Sequence, residues 1–213
     1  MNYDLESYLL SHIDKEGNYL YRLYRATNIH TVHGRMASGH LQGRLLKMLV
    51  EMIKPQNIIE VGTFSGYSAI CMAEGLSGNA QLYTFEINDE MEDFTRPWIE
   101  NSSVGKRIHF IIGDANIEAP KLNIKFDMAF IDGDKRTYID TYETIIKLLK
   151  PGGFILADNT LWDGHVIDPH YEHDAQTQGI VHFNDYITND KRVEKVILPI
   201  RDGLTIIRKK ISK

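Results

Sequence analysis

The pattern of apolar and polar positions changes at Asn57. Before it, apolar residues recur at helical spacing: Leu5, Tyr8, Leu9 and Ile13, then Leu20, Leu23 and Tyr24 after Gly17. A third helix is predicted after Ser38, a good N-cap residue, with Leu41, Leu45, Leu46, Leu49 and Ile53 on one side and Pro55 ending it. From Asn57 onward, short apolar runs alternate with amphipathic stretches. Strands are expected over 58–61, 81–85, 108–112, 127–131 and 153–157, and helices over 67–76, 89–101 and 137–149. Pro97 predicts a kink or split in the second of these helices, and Lys150-Pro151-Gly152-Gly153 a sharp turn into the fifth strand.

Such alternation implies an α/β fold, a parallel sheet covered by helices on both faces. Two further β-rich runs, 192–198 and 204–208, flank Pro199-Ile200-Arg201-Asp202-Gly203 and predict a hairpin that puts an antiparallel strand at the sheet edge. The polar, His-rich stretch 163–178 reads as a loop. The chain is read as a single domain, 1–213, with N-terminal helices over 1–54 and an α/β core over 55–213.

Composition narrows the function. With 213 residues, 43% hydrophobic and 25% charged, the chain suits one sizeable core. A formal net charge of −5 argues against nucleic acid or an anionic membrane as partner. The single cysteine, Cys71, excludes an internal disulfide and, in its apolar surroundings, reads as an inert buried thiol in a reducing compartment. Met1 to Glu6 is polar and acidic, unlike a secretory signal, and no apolar run approaches the ~20 residues that span a bilayer. A cytoplasmic protein is expected.

Two acidic segments carry the chemistry: Ile131-Asp132-Gly133-Asp134-Lys135 and Ala157-Asp158-Asn159-Thr160, each directly after a predicted buried strand. Charged oxygens at the rim of a core are costly without a compensating partner. Asp132, Asp158 and Asn159, converging from neighbouring strand ends, form an oxygen set suited to a hard divalent ion. Lys135 follows Asp132 in the same loop and is a candidate general base, its pKa lowered by a nearby metal; otherwise it is a surface lysine paired with Asp134 or Asp140.

Ile58 to Ser68 reads as strand, glycine turn, helix. Gly62 and Gly66 have three residues between them and lack the middle glycine of a dinucleotide fingerprint, which weakens a pyrophosphate reading. Glu60, just before the turn, would repel an anion and favour a cationic amino-acid group. Glu86 ends the second strand where such folds bind ribose hydroxyls, and Gly113-Asp114-Ala115 ends the third, placed to line an adenine pocket. Each acid alone reads as a solvated strand end or helix cap; their succession reads as a nucleoside site.

With these residues in view, the chain resembles the cation-dependent family of S-adenosylmethionine O-methyltransferases, which includes catechol and caffeoyl-CoA O-methyltransferases. The resemblance runs from about Met36 to Arg208 and rests on MASGHLQG from Met36, IEVGTFSGYS from Ile59, IDGDKRTY from Ile131, ADNTLW from Ala157 and LPIRDGL from Leu198. It implies a Rossmann-like fold with seven strands, mostly parallel, the last antiparallel. It implies that Ser38, Glu60, Gly62, Thr63 and Ser68 hold the methionine part of S-adenosylmethionine, that Glu86 takes the ribose, that Ala115 and Asp114 take the adenine, and that Asp134 also faces the cofactor. Asp132, Asp158 and Asn159 would bind the cation, Mg²⁺ first and Ca²⁺ or Mn²⁺ as alternatives, with Lys135 and Asp132 catalytic. The implied partner is a small catechol-like or other hydroxylated aromatic acceptor, and the implied assembly a homodimer.

One departure stands out. Asp163 occupies the place where plant caffeoyl-CoA enzymes carry an asparagine, so that substrate contact is not inherited. His165, His170 and His173 do not have the spacing of a helical zinc-ligand pair; with Trp162 and Tyr171 they are expected to shape the acceptor pocket. Tyr19, Tyr21 and Tyr24 read as packing or subunit-interface aromatics. The rival readings are a non-catalytic S-adenosylmethionine-binding protein, an NAD-dependent oxidoreductase and, against the acidic balance, a nucleic-acid methyltransferase.

Overall fold

The structure, a computed structural model, describes residues 3–211. Three helices open it: α1 (Tyr3–Ser11), α2 (Asn18–His30) and α3 (Gly39–Ile53). Strands and helices then alternate as β1 (Asn57–Val61), α4 (Tyr67–Glu74), β2 (Gln81–Glu86), α5 (Glu92–Glu100), β3 (Ile108–Ile112), the short α6 (Ala115–Glu118), β4 (Phe126–Ile131), α7 (Tyr138–Leu148) and β5 (Leu149–Asp158). The chain closes with α8 (Ala175–Asn189), β6 (Val193–Leu198) and β7 (Leu204–Lys209). One seven-stranded sheet runs in the order β3-β2-β1-β4-β5-β7-β6. The predicted hairpin is present, but the antiparallel strand β7 is inserted between β5 and β6, so β6 forms the edge. Among the described residues no helix is long and apolar enough to cross a membrane.

The chain packs as two compact units. One comprises the chain up to Gln56 with Thr63–Gly113, the other Asn57–Gly62 with Asp114 onward. In the first, the buried stripe of α3 is Gln42, Gly43, Leu46 and Val50 rather than the leucine-rich side the periodicity suggests. The reason is Gly43: a Cβ there would come within 2.7 Å of Cys71 Sγ, so the bare backbone lets α3 seat against α4. Cys71 is buried, as expected. Ser38 precedes α3, but its side chain makes no capping bond. Pro97 stays inside α5, and the break falls earlier, where a 3-10 turn at Asp89–Met91 precedes the helix.

In the second unit β4 is buried along nearly its whole length, as a strand covered on both faces must be. The predicted turn at Lys150-Pro151-Gly152-Gly153 is instead an irregularity within β5. Phe126 pairs with Leu149 and Met128 with Phe154, so the extra residues bulge out of the ladder. The predicted loop over 163–178 becomes two 3-10 turns, Trp162–Ile167 and Pro169–Tyr171, followed by α8. Asp174 starts α8 by accepting the Thr177 N–H at 2.7 Å, and Ile180, Phe183 and Ile187 form its buried stripe. The Phe183 ring meets Tyr138 and Tyr142 edge-on at 5.3 and 5.9 Å, fastening α8 to α7.

Candidate active site

The C-terminal ends of β4 and β5 are neighbours, with Ile131 paired to Ala157, and that rim of an open α/β sheet is where ligands bind. Asp132 follows directly on β4 and Asp158 ends β5. Lys135, 5% exposed, donates from Nζ to Asp132 Oδ1 at 2.7 Å and to Tyr138 Oη at 2.9 Å. The Tyr138 hydroxyl lies 3.0 Å from the carbonyl oxygen of Ile131 and 2.9 Å from that of Asp158. With a single proton it donates to one carbonyl at a time and ties the two strand ends together. Burial pushes the Tyr138 phenol up, so it remains a donor.

The surroundings of the lysine act on its charge in opposite directions. Burial pulls its pKa down, but the Asp132 charge and the hydrogen bonds to Asp132 and Tyr138 outweigh burial and leave the pKa raised. Asp132 and Tyr138 thus favour the ammonium form of Lys135. Its partner is Asp132, neither Asp134 nor Asp140. Two contacts from α8 fix its turn: the Gln176 side chain accepts the Lys135 N–H at 3.0 Å, and Gly179 lies so close that a methyl there would overlap the Lys135 carbonyl oxygen.

The segment after β5 is sharply bent. Asn159 and Trp162 sit at φ 57° and 47°, a region that Asn tolerates and Trp rarely enters. The turn between β6 and β7 holds it there. The Asp202 carbonyl accepts from Leu161 N at 2.7 Å and Trp162 N at 3.0 Å, the Gly203 carbonyl accepts from Thr160 N at 3.1 Å, and the Thr205 hydroxyl meets that of Thr160 at 2.8 Å. Gly203, at φ 90°, has no room for a side chain, since a Cβ would stand 2.6 Å from Leu161 N. Trp162 places its ring 5.8 Å from Lys135 Nζ. The Asp202 side chain lies beside Asn159 and against Asp163; burial first, then its hydrogen bond to Asp163, raises its pKa.

Among the described residues no group of three or more His, Cys, Asp or Glu is placed to hold a metal ion. The candidate set is of another kind: two carboxylates, Asp132 and Asp158, with the carboxamide of Asn159. Its chemistry fits a hard divalent cation, because all three are oxygen donors and they stand at the paired ends of β4 and β5. The loop histidines have separate partners. His165 stacks on Tyr171 at 3.5 Å, His170 bonds Asp168 at 2.8 Å, and His173 lies 3.4 Å from Glu172.

The predicted cofactor residues divide between the two units. In the first, Thr63, Ser68, Glu86 and Ser38 are all buried. The Glu86 carboxylate accepts from Phe64 N at 2.7 Å and Asn88 N at 2.9 Å, and the Thr63 hydroxyl meets that of Thr84 at 2.5 Å. Ser65 Oγ, within the same glycine turn, is buried without a hydrogen-bond partner. In the second, Glu60 is fully buried on β1. Gly62, at φ 96°, lies so close to the Asp132 carbonyl that a methyl would overlap it. Asp114 caps α6 through Asn116 N at 2.8 Å, with Ala115 buried behind it. Asp134 is exposed and tied to Arg136, whose hydrogen bonds hold its carboxyl down at about 2.

Tyr138 and Asp202 are the structural partners that the sequence left without a role. Both lie within the quoted motifs, and the signal for each is modest: a tyrosine one helical turn after Lys135, and an acid before the glycine of a hairpin turn.

Comparison with known proteins gives the chain its relatives. A family model described as O-methyltransferase matches residues 10–210. A caffeoyl-CoA O-methyltransferase of Stellaria longipes is 31% identical over 217 residues, covering 96% of this chain and 90% of that protein. An SAH-bound methyltransferase of Podospora anserina superposes with TM-score 0.90 at 27% identity, covering 99% of this chain and 97% of that one. An O-methyltransferase of Bacillus cereus in complex with SAH gives TM-score 0.88 at 28% identity, with 97% of both chains covered.

Proposed function

Because the chain belongs to the O-methyltransferase family, we propose that it moves the methyl group of S-adenosylmethionine onto a hydroxyl of a small catechol-like or other hydroxylated aromatic acceptor, with a divalent cation. One observation carries the reading: the buried Lys135 ammonium on Asp132, with the Asp158-Asn159 end of β5 tied to the same corner by Tyr138. The SAH-bound relatives support the cofactor.

Asp132, Asp158 and Asn159 would hold the cation, which, when bound, supplies Lewis acidity that favours the acceptor's phenolate. A vicinal diol offers two oxygens to such a centre, which is the ground for favouring catechols. The chain's own part is positioning and proton handling. Lys135 takes the hydroxyl proton at Nζ only after passing one of its own to water, so the Asp132 contact that favours the ammonium must loosen first. As the oxygen–carbon bond forms, the carbon–sulfur bond breaks and its electron pair returns to sulfur. Alignment of these atoms supplies much of the rate.

For the cofactor, the reading assigns Glu86, Thr63, Ser68 and Ser38 in the first unit and Glu60, Gly62, Asp114 and Ala115 in the second. Asp134 joins them only if its Arg136 pair opens. Exposed apolar side chains in the first unit, Leu5 and Tyr8 on α1 and Met48 and Met52 on α3, support a homodimer, which light scattering would register as twice the chain mass. A cytoplasmic setting fits the single buried thiol.

The test is incubation with S-adenosylmethionine and paired acceptors, each vicinal diol matched to its monophenol, with products identified by mass. Methylation of the diols well ahead of the monophenols is expected. No methylated product from any aromatic hydroxyl would overturn the reading.

A further inference from the structure

We propose that Asp202 is a positioning residue that sets the Asn159 carboxamide, holding its NH₂ group so that Oδ1 is turned outward as a cation ligand. The inference rests on the metal reading above and concerns how this chain builds that ligand set.

An asparagine side chain can be flipped about its last bond, exchanging a donor for an acceptor at little cost in shape. As a ligand to a hard cation only the oxygen serves. Something must therefore fix which end points where. Asn159 Nδ2 lies 3.3 Å from Asp202 Oδ2, the long end of hydrogen-bond range. The flipped amide would set its oxygen against a carboxylate oxygen. The arrangement with NH₂ on Asp202 is thus the favoured one, and it leaves Oδ1 on the side away from Asp202.

The backbone explains how a residue so distant in sequence reaches Asn159. The Asp202 and Gly203 carbonyls grip Leu161, Trp162 and Thr160 through their N–H groups, and Gly203 permits that approach because it has no side chain. These bonds use main-chain atoms only. The Asp202 carboxyl group, which also meets Asp163, acts on Asn159 through its side chain, in the manner of an outer partner that orients a ligand and whose loss weakens metal affinity by about 10–100-fold.

The experiment measures Mn²⁺ affinity by electron paramagnetic resonance in a double-mutant cycle, with thermal unfolding confirming that each variant is folded. Asp202→Ala in the Asn159 background should weaken Mn²⁺ binding at least about tenfold. Asp202→Asn, whose amide oxygen still accepts, should retain most of the affinity. In an Asn159→Asp background the ligand needs no orienting, since both of its side-chain ends are oxygens. There Asp202→Ala should leave Mn²⁺ affinity unchanged or stronger, a like charge having been removed. An equal loss in both backgrounds, or no loss in the Asn159 background, would overturn the proposal. Should the unaltered protein bind no Mn²⁺ while Asp158→Ala changes nothing, the metal reading itself falls, a result distinguishable from either of those.

Discussion

The Nζ of Lys135 lies 2.7 Å from Oδ1 of Asp132, with the lysine almost wholly withdrawn from solvent. A buried ammonium is tolerated only where paired and hydrogen-bonded, and this one has both Asp132 and Tyr138. Lys135→Met keeps the length of the side chain and removes the proton carrier. Turnover should fall about 10²–10⁴-fold, the usual worth of a positioned acid or base, while S-adenosylmethionine affinity stays within a few-fold. Single-turnover kinetics and calorimetry separate the two; unchanged turnover would remove Lys135 from the chemistry.

Tyr138→Phe deletes the hydroxyl that serves Lys135 and the carbonyls of Ile131 and Asp158. The phenyl ring still packs on Phe183, so the loss is confined to hydrogen bonding. A buried ammonium loses one acceptor, and urea unfolding should show a destabilisation of about 1–3 kcal/mol.

Gly179 on α8 marks where that helix presses on the turn bearing Lys135. Gly179→Ala gains helix propensity, yet the new methyl must push the Lys135 carbonyl away. Turnover should drop at least about tenfold, since small misplacements of a reacting group are costly. An alanine variant with unaltered turnover would show that α8 does not position the lysine.

How far the residues foretold this arrangement depends on the kind of signal each carries. The strands announced themselves because a buried parallel strand is an uninterrupted apolar run, as in Phe126–Ile131. Asp132, Lys135, Asp158 and Asn159 were legible because polar groups stood at the ends of such runs. α8 was not, since its start lies in a histidine-rich polar stretch and its apolar stripe, Ile180, Phe183 and Ile187, is sparse. The buried face of α3 was misread because Gly43 buries backbone rather than side chain. The pairing of Lys135 with Asp132, rather than with Asp134 or Asp140, depends on Tyr138 and Asp132 closing around it, a matter of tertiary packing that spacing does not encode.

Away from the site, Asp190 has its carboxyl held down at about 2, first by the Arg192 side chain, which also pairs with Glu143, and it accepts the Tyr142 hydroxyl at 2.7 Å. In the unfolded chain the group titrates near ~3.9. Its folded pKa is the lower of the two, so its stabilisation is complete above about pH 4 and fades as the pH falls toward about 2. Asp190→Asn should melt earlier than the unaltered protein near neutral pH, with the gap closing across that acid window. A gap that is constant with pH would contradict the assignment.

Methyl transfer to a vicinal diol, measured before and after chelation and again after adding back Mg²⁺, bears hardest on the role given to Asp132, Asp158 and Asn159. Turnover should vanish with chelator and return with Mg²⁺ in the unaltered protein, and should not return in Asp158→Ala, while S-adenosylmethionine binding persists in both. Undiminished transfer in the presence of chelator would contradict it.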